Sequence, residues 1–181
     1  MWKLRTDIVT YIPTIVSRRK IAAFDLDDTL ITTKSKAKFP RNEKDWKFKY
    51  DVIPVFEKLV KDEYLIVIFT NQGGMTVTSK RFKNLQTKIN DIISRVNGKL
   101  PEFDPFVLIA PKCGTTHMRK PQVGMWDHFK KVVEDVDMKE SFFVGDAAGR
   151  KGDFSNSDLV FADNIGLKFY TPEEYFEEAE E

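Results

Sequence analysis

One cysteine, two histidines and a charge balance close to neutral narrow the function classes at the outset. Cys113 has no partner in its own chain, so no internal disulfide can form; this fits a reducing intracellular compartment and a small buried side chain. There is no His or Cys cluster of the kind that holds zinc. Lys+Arg 29 against Asp+Glu 28 gives a formal charge of +1, so nothing in the global field demands a polyanionic partner and any basic surface has to be local. No apolar run approaches the ~20 residues of a membrane span. The apolar IVTYIPTIV near the N-terminus follows Lys3 and Arg5, but Asp7, Pro13 and the lack of a small-residue cleavage site argue against a signal peptide. Repeats and low-complexity linkers are also missing.

What is present is enough for one core. Among the 181 residues, 41% are hydrophobic and 13% aromatic, which supports a single domain over 1–181. Four short apolar runs, IAAF (21–24), LIVIF (65–69), FVLIA (106–110) and FFVG (142–145), are continuous rather than alternating, as in strands covered on both faces. Between them, Ser79 to Val96 shows helical spacing at Phe82, Leu85, Ile89, Ile92, Ile93 and Val96. Val52 to Val60 and Val123 to Val133 read as two more helices. Thr171-Pro172-Glu173-Glu174 has the form of a capping box that opens a last short one. The acidic EEYFEEAEE that closes the chain reads as solvated. Strands separated by helices imply right-handed crossovers, hence an α/β fold with a mostly parallel sheet and helices on both faces.

In such sheets ligands bind beyond the carboxyl ends of the strands. Each apolar run here leads into a polar cluster: DLDDT, TNQGG, the loop containing RKP, and DAAGRKGD. Asp25, Asp27, Thr70, Asn71, Lys120, Asp146 and Asp153 are thereby delivered to one edge. Asp25 and Asp27 are two apart, so on an extended strand end they point the same way, and with Asp146 they can surround a small hard cation. Oxygen-only ligation favours Mg²⁺. A cationic Lys120, a Thr70 hydroxyl and loop N–H groups from Gly73 and Gly74 suit a phosphoryl group, and an ionised aspartate can attack its phosphorus to form an aspartyl-phosphate while the second aspartate serves as general acid and then base.

DLDDT, FTNQ, the lysine of RKP and GDAAGRKGD, in that order, resemble the four motifs of haloacid dehalogenase superfamily phosphotransferases, whose Rossmann-like fold is then expected. With Phe39-Pro40, Asp45-Trp46, RKPQVGMWDHF, FVGDAAGRKGDFSNSD and FADNIGLKFYTPEEYF, the resemblance narrows to the phosphatase domain of polynucleotide kinase 3′-phosphatase and the stand-alone DNA 3′-phosphatases, over about residues 20–176. That resemblance implies Asp25 as nucleophile and Asp27 as general acid/base. It implies Mg²⁺ held by Asp25, the backbone carbonyl of Asp27, and Asp146, and phosphoryl oxygens bound by Thr70 and Lys120. Asp153 would orient the lysine or support the metal shell, and Asn71 and Gln72 would face the substrate. Arg119 and Arg150 read equally as substrate contacts or surface charges. Asp28 stands where the family commonly has glycine. A kinase domain would bring a GxxxxGK[ST] loop, which the chain lacks, so no 5′-kinase activity is expected.

Ile31–Tyr64 and Gly73–Met118, the two places where relatives insert a large cap, are already used by the core pattern, so an uncapped site is expected, one that can accept a polymer end bearing a 3′-phosphate. Lys34, Lys36, Lys38, Arg41, Arg119, Arg150 and Lys151 could contact a few backbone phosphates there. His117 and His128 read as structural or surface residues, and Trp46 and Trp126 as core. Two rival functions are a capless phosphatase for a small metabolite and a non-catalytic DNA-end binding module. A monomer is expected, and a nuclear location follows from the resemblance alone.

Overall fold

The four apolar runs become strands of a single sheet in a computed structural model that describes residues 1–112 and 116–177. In chain order the strands are β1 (Trp2–Leu4), β2 (Val9–Tyr11), β3 (Lys20–Phe24), β4 (Ile31–Thr32), β5 (Lys47–Phe48), β6 (Tyr64–Asn71), β7 (Phe106–Ala110), β8 (Phe142–Val144) and β9 (Lys168–Tyr170). Seven of them form the main sheet in the order β1-β2-β7-β6-β3-β8-β9; β4 and β5 pair separately as a small hairpin. From β7 to β9 all pairings are parallel, with Phe24 of β3 opposite Ile68 on one side and Val144 on the other.

Alternation along the buried strands sends side chains to two cores. Ala22, Phe24, Ile66 and Ile68 face one layer, formed by α1 (Val52–Lys61), α2 (Lys80–Asn97) and α5 (Pro172–Glu177). Ile21, Ala23, Val67 and Phe69 face the other, where α3 (Gly124–Lys130) and α4 (Ser157–Ile165) contribute Trp126, Phe129, Phe161 and Ile165. Trp46 and Trp126 are both core residues. With each fully buried large apolar side chain worth ~1.5–3 kcal/mol, these two layers hold the strand ends in fixed register.

Helix boundaries follow the sequence signals. Ser79 caps α2 by accepting a 3.2 Å hydrogen bond from the Phe82 N–H. At α5, Thr171 N–H donates to Glu174 at 2.8 Å and Glu174 N–H donates to the Thr171 hydroxyl at 3.3 Å, so the capping box forms. The predicted 123–133 helix is shorter, ending at Lys130.

Three features depart from the expectations. The N-terminal segment contributes two unforeseen strands, β1 and β2, which add antiparallel pairings at the β7 edge of a sheet that is mostly parallel. The closing acidic segment is only partly solvated: Phe176 is buried and stacks on Tyr50 at 4.8 Å, and Tyr175 packs 5.0 Å from Phe142. Aromatic burial outweighs the charge of its neighbours. The helix α4 and strand β9 carry no strong periodic pattern and were not legible beforehand. Cys113 and Glu178–Glu181 lie outside the described residues.

Candidate active site

The crossover from β3 goes to β6 on one side, and after β7 the chain returns to β8 on the other, so the sheet's switch point lies at β3. Asp25 is the first residue beyond that strand, fixed by its N–H donating to Val144 at 2.9 Å. Its carboxylate is buried and receives a 2.6 Å bond from the Lys120 ammonium. The same ammonium donates at 2.6 Å to Asp158, also buried. Asp146, one residue past the Gly145 that follows β8, completes the group: one carboxylate oxygen from each of Asp25, Asp146 and Asp158 lies within 4.8 Å of the others.

The charges in this cluster do not balance. Three carboxylates face one ammonium, and burial first, then the negative neighbours Asp158 and Asp146, push Asp25 well above the usual carboxylate range despite the pull of Lys120. Asp146 is raised to about 6, chiefly by burial and then by Asp158 and Asp28. Burial disfavours the Lys120 ammonium, yet Asp158 and Asp25 outweigh it and hold the group at about 12. A divalent cation bound through oxygen would meet the excess negative charge. The donor set therefore fits a hard metal ion.

Asp27 corrects the expectation of three converging strand-end carboxylates. The strand ends at Phe24, so alternation no longer governs the side chains, and the Asp27 carboxylate stands apart from the Asp25–Asp146–Asp158 group. It accepts a hydrogen bond from the Gln72 amide, which also donates to the Thr70 hydroxyl at 3.0 Å. Thr70 is buried at the end of β6. Asn71 is occupied with Lys120: its amide oxygen accepts from the Lys120 N–H at 2.9 Å and its amide nitrogen donates to the Lys120 carbonyl at 3.0 Å. This clamp spans 49 residues of sequence and sets where the lysine begins.

Of the two roles expected of Asp153, orienting the lysine is not the one its contacts serve. Its carboxylate accepts from the Ala148 and Arg150 N–H groups and from the Arg150 guanidinium, and among the described residues the carboxylates on Lys120 are those of Asp25 and Asp158. Arg150 is committed within the protein, bonded to Asp153, to Glu173 at 3.0 Å and to the Asp146 carbonyl at 3.3 Å; it braces the loop beneath Asp146. Arg119 donates to the Lys112 carbonyl at 3.4 Å. Lys34, Lys36, Lys38, Arg41 and Lys151 are exposed.

Three site residues escaped the sequence reading. Asp158 closes the run GDFSNSD at the start of α4, where the resemblance pointed to the earlier aspartate, Asp153, for the lysine. Gly145 makes room for it: a Cβ there would sit 2.5 Å from the Asp158 side chain. Thr29, fully buried, donates to the Asp146 carboxylate at 3.3 Å and accepts from the Asp146 N–H at 3.1 Å. Lys88, a charge on the apolar face of α2, approaches Asp27 at 3.8 Å. Asp28 has φ 60, which accounts for the glycine common at this position, since aspartate is among the few other residues that enter the left-handed region readily.

An open α/β sheet with an aspartate directly after the central strand, an ammonium across from it and further acidic groups at the neighbouring strand end defines the HAD-like phosphatase class. The solved D,D-heptose 1,7-bisphosphate phosphatase from B. bronchiseptica, complexed with magnesium and phosphate, shares the fold at TM-score 0.64 and 18% identity, covering 84% of this chain and 79% of that one. Within the class, the chain belongs to the family described as polynucleotide kinase 3 phosphatase, whose model matches residues 20–176. It is similar to the bifunctional polynucleotide phosphatase/kinase of Schizosaccharomyces pombe, 41% identical over 87% of this chain but spanning only 38% of that relative's length. It is also 31% identical to the polynucleotide 3′-phosphatase of Saccharomyces mikatae, over 87% of this chain and 84% of that one.

Proposed function

We propose that this chain is a Mg²⁺-dependent phosphomonoesterase, one domain over 1–181 and monomeric, that removes 3′-phosphates from DNA ends and leaves the hydroxyl that polymerases and ligases extend. The observation that carries this reading is the buried Asp25–Lys120–Asp158 triad beside Asp146, aligned at the sheet's switch point. Asp25 attacks the phosphorus, forming a carboxylate–phosphorus bond as the bond to the DNA 3′-oxygen breaks, and Asp27 gives its proton to that departing oxygen. In the second half Asp27 takes a proton from water, the water oxygen bonds to phosphorus, and Asp25 is released with inorganic phosphate. Lys120 fixes the attacking carboxylate and, with the Thr70 hydroxyl, neutralises the phosphoryl oxygens. Asp25, Asp146 and the Asp27 carbonyl would hold Mg²⁺, which supplies charge neutralisation for the transferring group.

The surroundings support a polymer end as substrate. Among the described residues the first gap holds the β4–β5 hairpin and α1, and the second α2 and β7, so no cap domain is inserted there. The β4–β5 loop and the β8–α4 loop that carries Asp146 expose two rings, Phe39 at 69% and Phe154 at 85%, with the Lys38 ammonium 5.7 and 5.8 Å from their centres. Exposed aromatics among lysines are suited to unstacked bases and backbone phosphates. Acting on DNA ends implies a nuclear setting, and no helix among the described residues is long and apolar enough to cross a membrane.

A side-by-side assay with Mg²⁺ tests the reading. Phosphate release from a 3′-phosphorylated oligonucleotide should exceed release from histidinol phosphate or a sugar bisphosphate by orders of magnitude. Preference for a metabolite would replace the DNA reading with a small-molecule one. Tight oligonucleotide binding without release would indicate a binding module.

A further inference from the structure

A lysine on the apolar face of a helix is costly, because its ammonium must find a partner or water while its neighbours are hydrocarbon. Lys88 occupies such a place. It lies on α2 between Leu85 and Ile89, faces the core, and is only 5% exposed. Its stem runs along the hydrophobic layer and its Nζ emerges 3.8 Å from the Asp27 Oδ1. Among the described residues, Asp27 is the ion-pair partner of Lys88. The other oxygen, Asp27 Oδ2, accepts from the Gln72 amide. One carboxylate is thus held at both oxygens, by a cation from the helix layer and by an amide from the end of β6.

We propose that Lys88 is a positioning residue that aims Asp27 at the departing oxygen. The inference rests on the reading above, in which Asp27 transfers a proton and Asp25 attacks. The Asp27 side chain is 48% exposed and its backbone lies beyond the regular part of β3, so packing alone does not restrict its rotamers. Gln72 restrains one oxygen, and Lys88 supplies the second restraint from a rigid helix. The balance of the step is unaltered: the Asp27 O–H bond breaks, its proton goes to the oxygen leaving phosphorus, and the electron pair of the P–O bond is retained by that oxygen. Lys88 neither gives nor receives a proton. Its contribution is greatest where the leaving oxygen is most basic and depends most on that proton.

The test uses Lys88→Met, which keeps the length and apolar stem, with Lys88→Arg as the conservative partner. Turnover is measured in Mg²⁺ on three substrates: a 3′-phosphorylated oligonucleotide, phenyl phosphate, and 4-nitrophenyl phosphate, whose leaving group needs little protonation. For Lys88→Met the expected loss in kcat is roughly tenfold to a hundredfold on the first two and less than about threefold on the third, a part of the general-acid contribution. KM is expected to hold, the melting temperature to stay level or rise, and Lys88→Arg to recover much of the loss. An equal loss on all three substrates, or no loss on any, overturns the role for Lys88 while leaving the phosphatase reading intact. Wild-type protein that releases phosphate from none of them overturns both.

Discussion

The roles of individual residues at this site are set by what each carboxylate touches. Asp158, not Asp153, shares the Lys120 ammonium, so Asp158→Asn is expected to cut phosphate release by roughly a hundredfold or more, whereas Asp153→Asn, which loosens the Arg150 loop, costs less than about tenfold in steady-state assays. Together with Asp25, whose carboxyl is also raised by burial, Asp146 sets the pH response of the metal-free protein. Its pKa is raised in the folded state, so its contribution to stability is full at acid pH and is lost as pH rises through about 6. Metal-free protein should therefore melt at a lower temperature at pH 7 than at pH 5, and Asp146→Asn should reduce that difference, the remainder belonging to Asp25. On the proposed reading Mg²⁺ competes with a proton at Asp146, so apparent Mg²⁺ affinity, followed by calorimetry, should weaken as pH falls below about 6. Asp146 and Asp153 were legible as acids at strand ends, unlike Asp158. Which aspartate would meet Lys120 was not legible, because Asp153 and Asp158 lie in the same run and only the loop's own bonds to Asp153 decide between them.

At the scale of elements, the segments that follow β3, β6, β7 and β8 carry the site. Gly145 sits between β8 and Asp146 with no room for a side chain against Asp158, so Gly145→Ala should displace Asp158 and lower activity more than stability, measured by turnover and melting together. On the proposed reading, the exposed rings Phe39 and Phe154 serve substrate binding rather than folding. Phe154→Ala should leave the melting temperature unchanged and raise KM for the oligonucleotide roughly tenfold, with no effect on 4-nitrophenyl phosphate, the magnitude of one lost base–aromatic stack. An unchanged oligonucleotide KM would remove that ring from the binding surface. The strands and helices with strong patterns, such as LIVIF and Ser79 to Val96, were readable because burial on one or both faces writes itself into the spacing. The elements α4 and β9 were not, since SDLVFADNI distributes its apolar residues with little helical bias and KFY is too short to show a period.

For the molecule as a whole, the parallel order of the strands was implied by the alternation of runs and helices, and it brings Asp25, Lys120 and Asp146 together from distant segments. The antiparallel β1–β2 edge was hidden, because IVTY and WKL are short and the pairing that buries Val9 against Ile109 is a tertiary contact. Aromatic packing of Tyr175 and Phe176 likewise overrode the acidic character of the last segment. Few basic residues surround the site, so oligonucleotide binding should depend only weakly on salt. The central claim is that Asp25 receives the phosphoryl group from a DNA 3′ end. Its most direct measurement is a single turnover with an oligonucleotide carrying radioactive phosphate at that end, quenched in acid and followed by isolation of the protein. Label should appear transiently on the wild-type chain, in the peptide containing Asp25, and be missing from Asp25→Asn; phosphate released with no label ever reaching the protein, or label persisting in Asp25→Asn, would contradict it.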